Sequence, residues 1–152
     1  MVGHNNSIRA RNHRAARDSE ALLWRAYCDS GSLARTYLDP DCVVINPLVH
    51  PAGSDAPLSA ESEPTLQEAL GRMTPWTTYR MFKGEGQPAV VEVDMMAVCI
   101  MYRVEVRRAP EGGQGSEEKA EEKREGRVTS IWRQGAGGDY RLCAQHVAVE
   151  GG

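Results

Sequence analysis

The stretch after Trp76 limits the fold most, because it is almost entirely β-prone. Four runs, TTYRMFKGEG (77–86), AVVEVDMMAVCIMYRVEVRR (89–108), RVTSIWRQ (127–134) and YRLCAQHVAVE (140–150), are rich in branched and aromatic residues and bounded by turn formers. A Gly-Gln-Pro turn separates the first two, and the second is long enough to bend or carry a bulge near Asp94. Such a series is expected to form an antiparallel meander, one face of which needs covering.

The first half supplies the cover. Helical periodicity begins at Asp18, with Asp18 or Ser19 as cap, a buried face of Leu22, Leu23, Ala26 and Tyr27, and Gly31 as terminator. A second, short helix is expected from Ser32, with Leu33, Tyr37 and Leu38 inward, stopped by Asp39-Pro40. CVVIN reads as a strand, and PLVHPAGSDAPLSAESEP (47–64) as a loop. A third helix follows, with Ser62 as cap, Pro64 in the first turn and Leu66, Ala69, Leu70 and Met73 buried. The expected architecture is α+β: a cone-shaped curved antiparallel sheet with three N-terminal helices and a cavity between the layers.

Two segments stand outside this pattern. Residues 1–17 carry four arginines and no acid, but Ile8 is their one large aliphatic residue after Val2, too few for an amphipathic presequence. They read as a disordered basic tail, leaving 18–150 as a single domain. APEGGQGSEEKAEEKREG (109–126) reads as a mobile, charged hairpin loop without an assigned role.

Composition narrows the function classes. With 152 residues, 41% of them hydrophobic, the chain has enough core for one domain without metal or disulfide staples. A net charge of -3 gives no field to attract nucleic acid. No stretch approaches the roughly 20 apolar residues that cross a bilayer, so neither membrane nor nucleic acid is an expected partner, and a cytoplasmic location is expected. Cys28, Cys42, Cys99 and Cys143 lie far apart with no CxxC pair, and are expected as buried thiols of a reducing compartment. No metal or cofactor is expected.

The order of elements, together with GSLARTYLDPDCVVINP (31–47) and TSIWRQGAGGDYRLCAQHVAV (129–149), resembles the nuclear transport factor 2-like superfamily and its SnoaL-like and steroid-isomerase-like members. That superfamily hosts isomerases, dehydratases, transport factors and association domains on one frame, so the resemblance implies a fold before an activity. AVCIMYRVEVRR followed by TSIWRQGAGGDYRLCAQH is similar to the association domain of calcium/calmodulin-dependent protein kinase II, whose terminal histidine falls on His146. Its pocket arginines fall on Val104, Ser130 and Val147, with Arg103 one position away. On the steroid-isomerase pattern the base position falls on Asn46, the helix tyrosine on Trp24 and the strand carboxylic acid on Ser130, and an amide is no proton acceptor.

The resemblance therefore implies a binding pocket lined by Trp24, Asn46, Tyr102, Ser130, Trp132 and Gln145, taking a small, mostly apolar molecule. Alternation sends Tyr140, Leu142, Ala144 and His146 to the outer sheet face, where members of the superfamily dimerise, so a homodimer is expected. The enzyme alternative is a cofactor-independent isomerase, cyclase or dehydratase with His50 or Asp94 as acid-base group. A third reading is a purely structural association module resembling the kinase hub.

Overall fold

The structure, a computed structural model, describes residues 3–81, 88–109 and 121–151, with side chains described from residue 8. A long helix α1 (Gly3–Tyr27) leads into a 3-10 helix (Gly31–Tyr37), strand β1 (Leu38–Ile45) and a short helix α2 (Leu66–Arg72). Five strands follow: β2 (Thr78–Met81), β3 (Ala89–Asp94), β4 (Ala97–Arg108), β5 (Glu122–Gln134) and β6 (Tyr140–Val149). They form one six-stranded sheet in the order β1-β6-β5-β4-β2, and β3 lies beside β2 along the same edge of β4. All pairings are antiparallel except β1 with β6, the link from the helical half into the meander.

This is the expected α+β build, with several boundaries moved. The helix does not start at Asp18: α1 runs on from Gly3 through the arginine-rich segment read as a disordered tail. Alanine and arginine are strong helix formers, and contacts with the sheet anchor the extension. Ala16 is fully buried, Asn12 accepts a hydrogen bond from Tyr140 at 3.1 Å, and Arg9 lies 3.9 Å from Glu92. The buried stripe of α1 is Ala16, Glu20, Leu23, Trp24 and Tyr27, while Leu22 is exposed. The second helix forms as a 3-10 turn that buries Ala34 and leaves Leu33 outside.

Asp39 and Pro40 lie within β1 instead of preceding it. A proline fits there because β1 is an edge strand whose pairing with β6 shifts between Leu38 and Val43. Thr65, not Ser62, caps α2, through a capping box with Glu68. Gly31 is required by packing, since a Cβ there would stand 2.2 Å from the Leu70 carbonyl oxygen.

In the sheet, the long run 89–108 breaks into a hairpin at Met95-Met96, where Asp94 accepts a hydrogen bond from the Met96 amide at 2.7 Å. It carries the expected irregularity near Asp94, a register shift on β3 between Glu92 and Asp94 that leaves Val93 without a partner on β4. Residues 122–126, expected in the charged loop, belong to β5, and residues 110–120 of that loop lie outside the described residues. In β6 a bulge leaves Cys143 without a partner on β5: Ile131 pairs with Ala144, and Trp132 with Leu142. The extra residue reverses the alternation, so Leu142 is fully buried and Tyr140 packs on the core instead of lying on the outer face. Of the cysteines expected in the core, only Cys42 is buried; Cys28, Cys99 and Cys143 are half-exposed, and all are free thiols.

Candidate functional site

The inner face of the sheet and the stripe of α1 meet around one carboxyl group. Glu20, Trp24 and Tyr27 are about one helical turn apart and point the same way. Tyr102 on β4, Ser130 and Trp132 on β5 and Gln145 on β6 face them, with Asn46 just beyond the end of β1. All are buried: Glu20, Trp24, Tyr27, Asn46, Ser130 and Trp132 are 0% exposed.

Four donors converge on Glu20. Its Oε2 accepts from the Tyr102 hydroxyl at 2.5 Å, the Ser130 hydroxyl at 2.7 Å and the Gln145 amide at 3.3 Å, and its Oε1 accepts from the Trp132 indole at 2.8 Å. The direction of each bond is forced by its neighbour. Trp24 donates its indole N–H to the Tyr102 oxygen at 2.5 Å, and Gln145 donates to Ser130 at 3.1 Å, so both hydroxyl protons are left to face the carboxyl. Beyond Gln145, its carbonyl oxygen accepts from Asn46 at 2.9 Å and Tyr27 at 3.1 Å, and Asn46 accepts from the Leu48 amide at 3.0 Å.

Burial pushes the Glu20 carboxyl above the ordinary glutamate range, against the pull of its four hydrogen bonds. Burial, and then the neighbouring Glu20 charge, also hold the Tyr102 phenol well above its usual value, so it keeps its proton. Among the described residues no buried side-chain nitrogen or oxygen lacks a partner. None of these eight side chains lines the surface clefts at Arg35–Gln67, Leu22–Tyr37 or Pro47–Val149.

The structure thus brings together all six residues expected to line the pocket, Trp24, Asn46, Tyr102, Ser130, Trp132 and Gln145, but bonds them to one another around Glu20. Sequence reasoning passed over Glu20, although it stands four residues after Ala16 and four before Trp24, on the apolar stripe of its own helix.

His50 and Asp94 are not brought together. His50 lies half-buried in the loop after β1, where its Nδ1 accepts from the Ala52 amide at 3.0 Å. Asp94 is exposed at the end of β3, and β6, β5 and β4 intervene between β1 and β3. The sheet order separates them by four inter-strand steps, about 19 Å. Arg103, one position away from a pocket-arginine position of the association domain, faces away from the interior and pairs with Glu150 at 2.7 Å. No cluster of three or more residues able to hold a metal ion occurs among the described residues, and none of their helices is long and apolar enough to cross a membrane.

The outer sheet face carries a second feature. Val91, Cys99, Ile131, Ala144 and Val43 stand in register as one row across β3, β4, β5, β6 and β1. Ala89, Met101, Thr129, His146 and Ile45 make the adjacent row. Val91 is 51% exposed, Val43 40% and Met101 38%. A row containing Arg133 and Arg141 borders this apolar band on one side, and one containing Arg103 and Arg127 borders it on the other.

The fold has known counterparts at low sequence identity. The association domain of calcium/calmodulin-dependent protein kinase II from C. elegans superposes with a TM-score of 0.65 at 14% identity, covering 94% of this chain and 98% of that one. A nuclear transport factor 2-like superfamily protein from Salmonella enterica superposes at 0.61 and 10% identity, covering 95% and 92%. The chain has the nuclear transport factor 2-like fold. A protein of this fold from Novosphingobium aromaticivorans, assigned as a scytalone dehydratase, superposes at 0.70 and 10% identity, covering 95% and 87%. No family model matches the chain, and no curated protein matches it in sequence. Association domains and dehydratase-type proteins share this frame, so the fold alone does not choose between them.

Proposed function

We propose that this nuclear transport factor 2-like domain is an association module, in which two copies pack their outer sheet faces together. The observation that carries this reading is the contrast between the two faces of the sheet. The polar groups of the inner face are committed to one another around Glu20, whereas the outer face presents two adjacent, largely apolar rows bordered by arginines. An apolar centre with a charged rim is the usual anatomy of a protein interface. A two-fold pairing would set the band of one copy on the band of the other.

Native mass spectrometry of the full chain tests this. The wild type is expected as an even-numbered assembly, and Met101→Glu with Ile131→Glu should break the face contact while the far-ultraviolet spectrum stays unchanged. A wild-type monomer at micromolar concentration would overturn the reading.

A second reading rests on Glu20. A buried carboxyl with a raised pKa beside a tyrosine hydroxyl is a grouping that acid-base chemistry at a carbonyl uses, and it would serve an isomerase or dehydratase acting on a small apolar molecule. A substrate would have to enter by displacing bonds of the existing network. A small molecule that co-purifies with the wild type and is absent from Glu20→Gln would favour this reading.

A further inference from the structure

Strand β3 (Ala89–Asp94) has β4 on one side, and among the described residues no strand on the other. A free edge offers a row of unpaired backbone donors and acceptors, and soluble proteins ordinarily guard such edges with lysine, internal proline or a covering element. The opposite edge of the sheet is guarded in this way: β1 contains Pro40, and Val44 forms a bridge with Leu58. The sequence of β3, AVVEVD, has no lysine and no proline within it. Val91 is 51% exposed and Val93 57%, and at the hairpin tip Met95 reaches 88%. The register shift between Glu92 and Asp94 confines the irregularity to the hairpin end, and from Ala89 to Glu92 the edge is regular, branched and mostly apolar, as a strand that pairs would be.

We infer that β3 is a second self-association site, at which the β3 of another copy adds antiparallel and joins the two sheets edge to edge. The choice of a second copy rests on how the strand complements itself. About a two-fold axis at Val91, Ala89 stands opposite Val93, at the bulge, and Val90 opposite Glu92, so no like charges oppose each other. Glu92 already has its own counter-ion, Arg9, at 3.9 Å. Val91 belongs to the outer apolar row that crosses β4, β5, β6 and β1, so joining two β3 strands would run that row unbroken from one copy into the next. This edge is distinct from the sheet-face contact proposed above, and either can exist without the other.

The test uses two double variants of the full chain that carry the same number of new charges. Ala89→Lys with Val93→Lys places lysine opposite lysine in the proposed register. Ala89→Lys with Val93→Glu places lysine opposite glutamate. Native mass spectrometry and sedimentation velocity should show four or more chains for the wild type, half that mass or less for the lysine-lysine variant, and wild-type mass for the lysine-glutamate variant.

The same measurement on Met101→Glu with Ile131→Glu separates the two interfaces. If only the face contact fails, that variant matches the wild type, and the lysine-lysine variant still falls to a monomer. If the lysine-lysine variant keeps the wild-type mass, or if both charge variants lose mass equally, edge pairing in this register is overturned. A wild type of no more than two chains that dissociates in the face variant but not in the lysine-lysine variant overturns it as well.

Discussion

Replacing Tyr102 by phenylalanine removes a single oxygen from the buried network and isolates what that network contributes. The hydroxyl accepts from the Trp24 indole and donates to Glu20, both at 2.5 Å, with Tyr102 9% exposed and the other two fully buried. Without it the Trp24 N–H has no partner, and an unsatisfied buried donor costs about 1–3 kcal/mol. Glu20 also loses one of its four donors, and a hydrogen bond to a charged group contributes about 1.5–3 kcal/mol. Together these give an expected loss of about 3–5 kcal/mol.

Equilibrium unfolding in urea reads this as a fall in midpoint at unchanged slope, by about 2 M where the slope is about 2 kcal/mol/M. Tyr79→Phe is the control, because the Tyr79 ring packs on the core but its hydroxyl makes no hydrogen bond among the described residues. That variant should stay within about 0.5 kcal/mol of the wild type. A loss below about 1 kcal/mol for Tyr102→Phe would refute the claim that the network holds the interior together.

Two further outcomes follow from features already described. Because burial raises the Glu20 carboxyl above its unfolded value of 4.5, the folded state holds that proton more tightly, and stability from this group is full below about pH 4.5 and lost as pH rises through the folded pKa. Urea midpoints measured across that range should decline with pH in the wild type, and Glu20→Gln should lack that component while being less stable overall. Gly31→Ala would drive a methyl against the Leu70 carbonyl and the Met73 side chain, so its thermal midpoint should fall by the equivalent of about 1–3 kcal/mol.

The residues that declare themselves in the sequence are those whose local pattern and tertiary position agree. Leu66, Ala69, Leu70 and Met73 repeat at helical spacing and are all buried. Trp24, Tyr102, Ser130, Trp132 and Gln145 follow strand or helix alternation into the interior, so their meeting was foreseeable from the frame. Glu20 was not, because a charged residue is normally assigned to solvent, and only tertiary donors on three different strands make its burial tolerable. Leu142 and Tyr140 were turned the wrong way for a different reason: a bulge is a property of two paired strands and leaves no mark in either one alone. The start of α1 was missed because the arginine-rich segment shows no apolar periodicity, and it is anchored by Asn12, Arg9 and Ala16 through contacts with distant strands.

The bulge at Cys143 also bears on how this chain can change its length. Removing one residue from a strand with one buried face ordinarily moves everything beyond the cut to the wrong side. At Cys143 the surplus is already present: with that residue deleted, Ala144 would follow Leu142 directly, and Leu142 and Ala144 would keep the sides they now occupy opposite Trp132 and Ile131. This is the place in β6 where a single-residue deletion leaves the sidedness of the strand intact. A deletion at Arg141, by contrast, would turn Tyr140 out of the core.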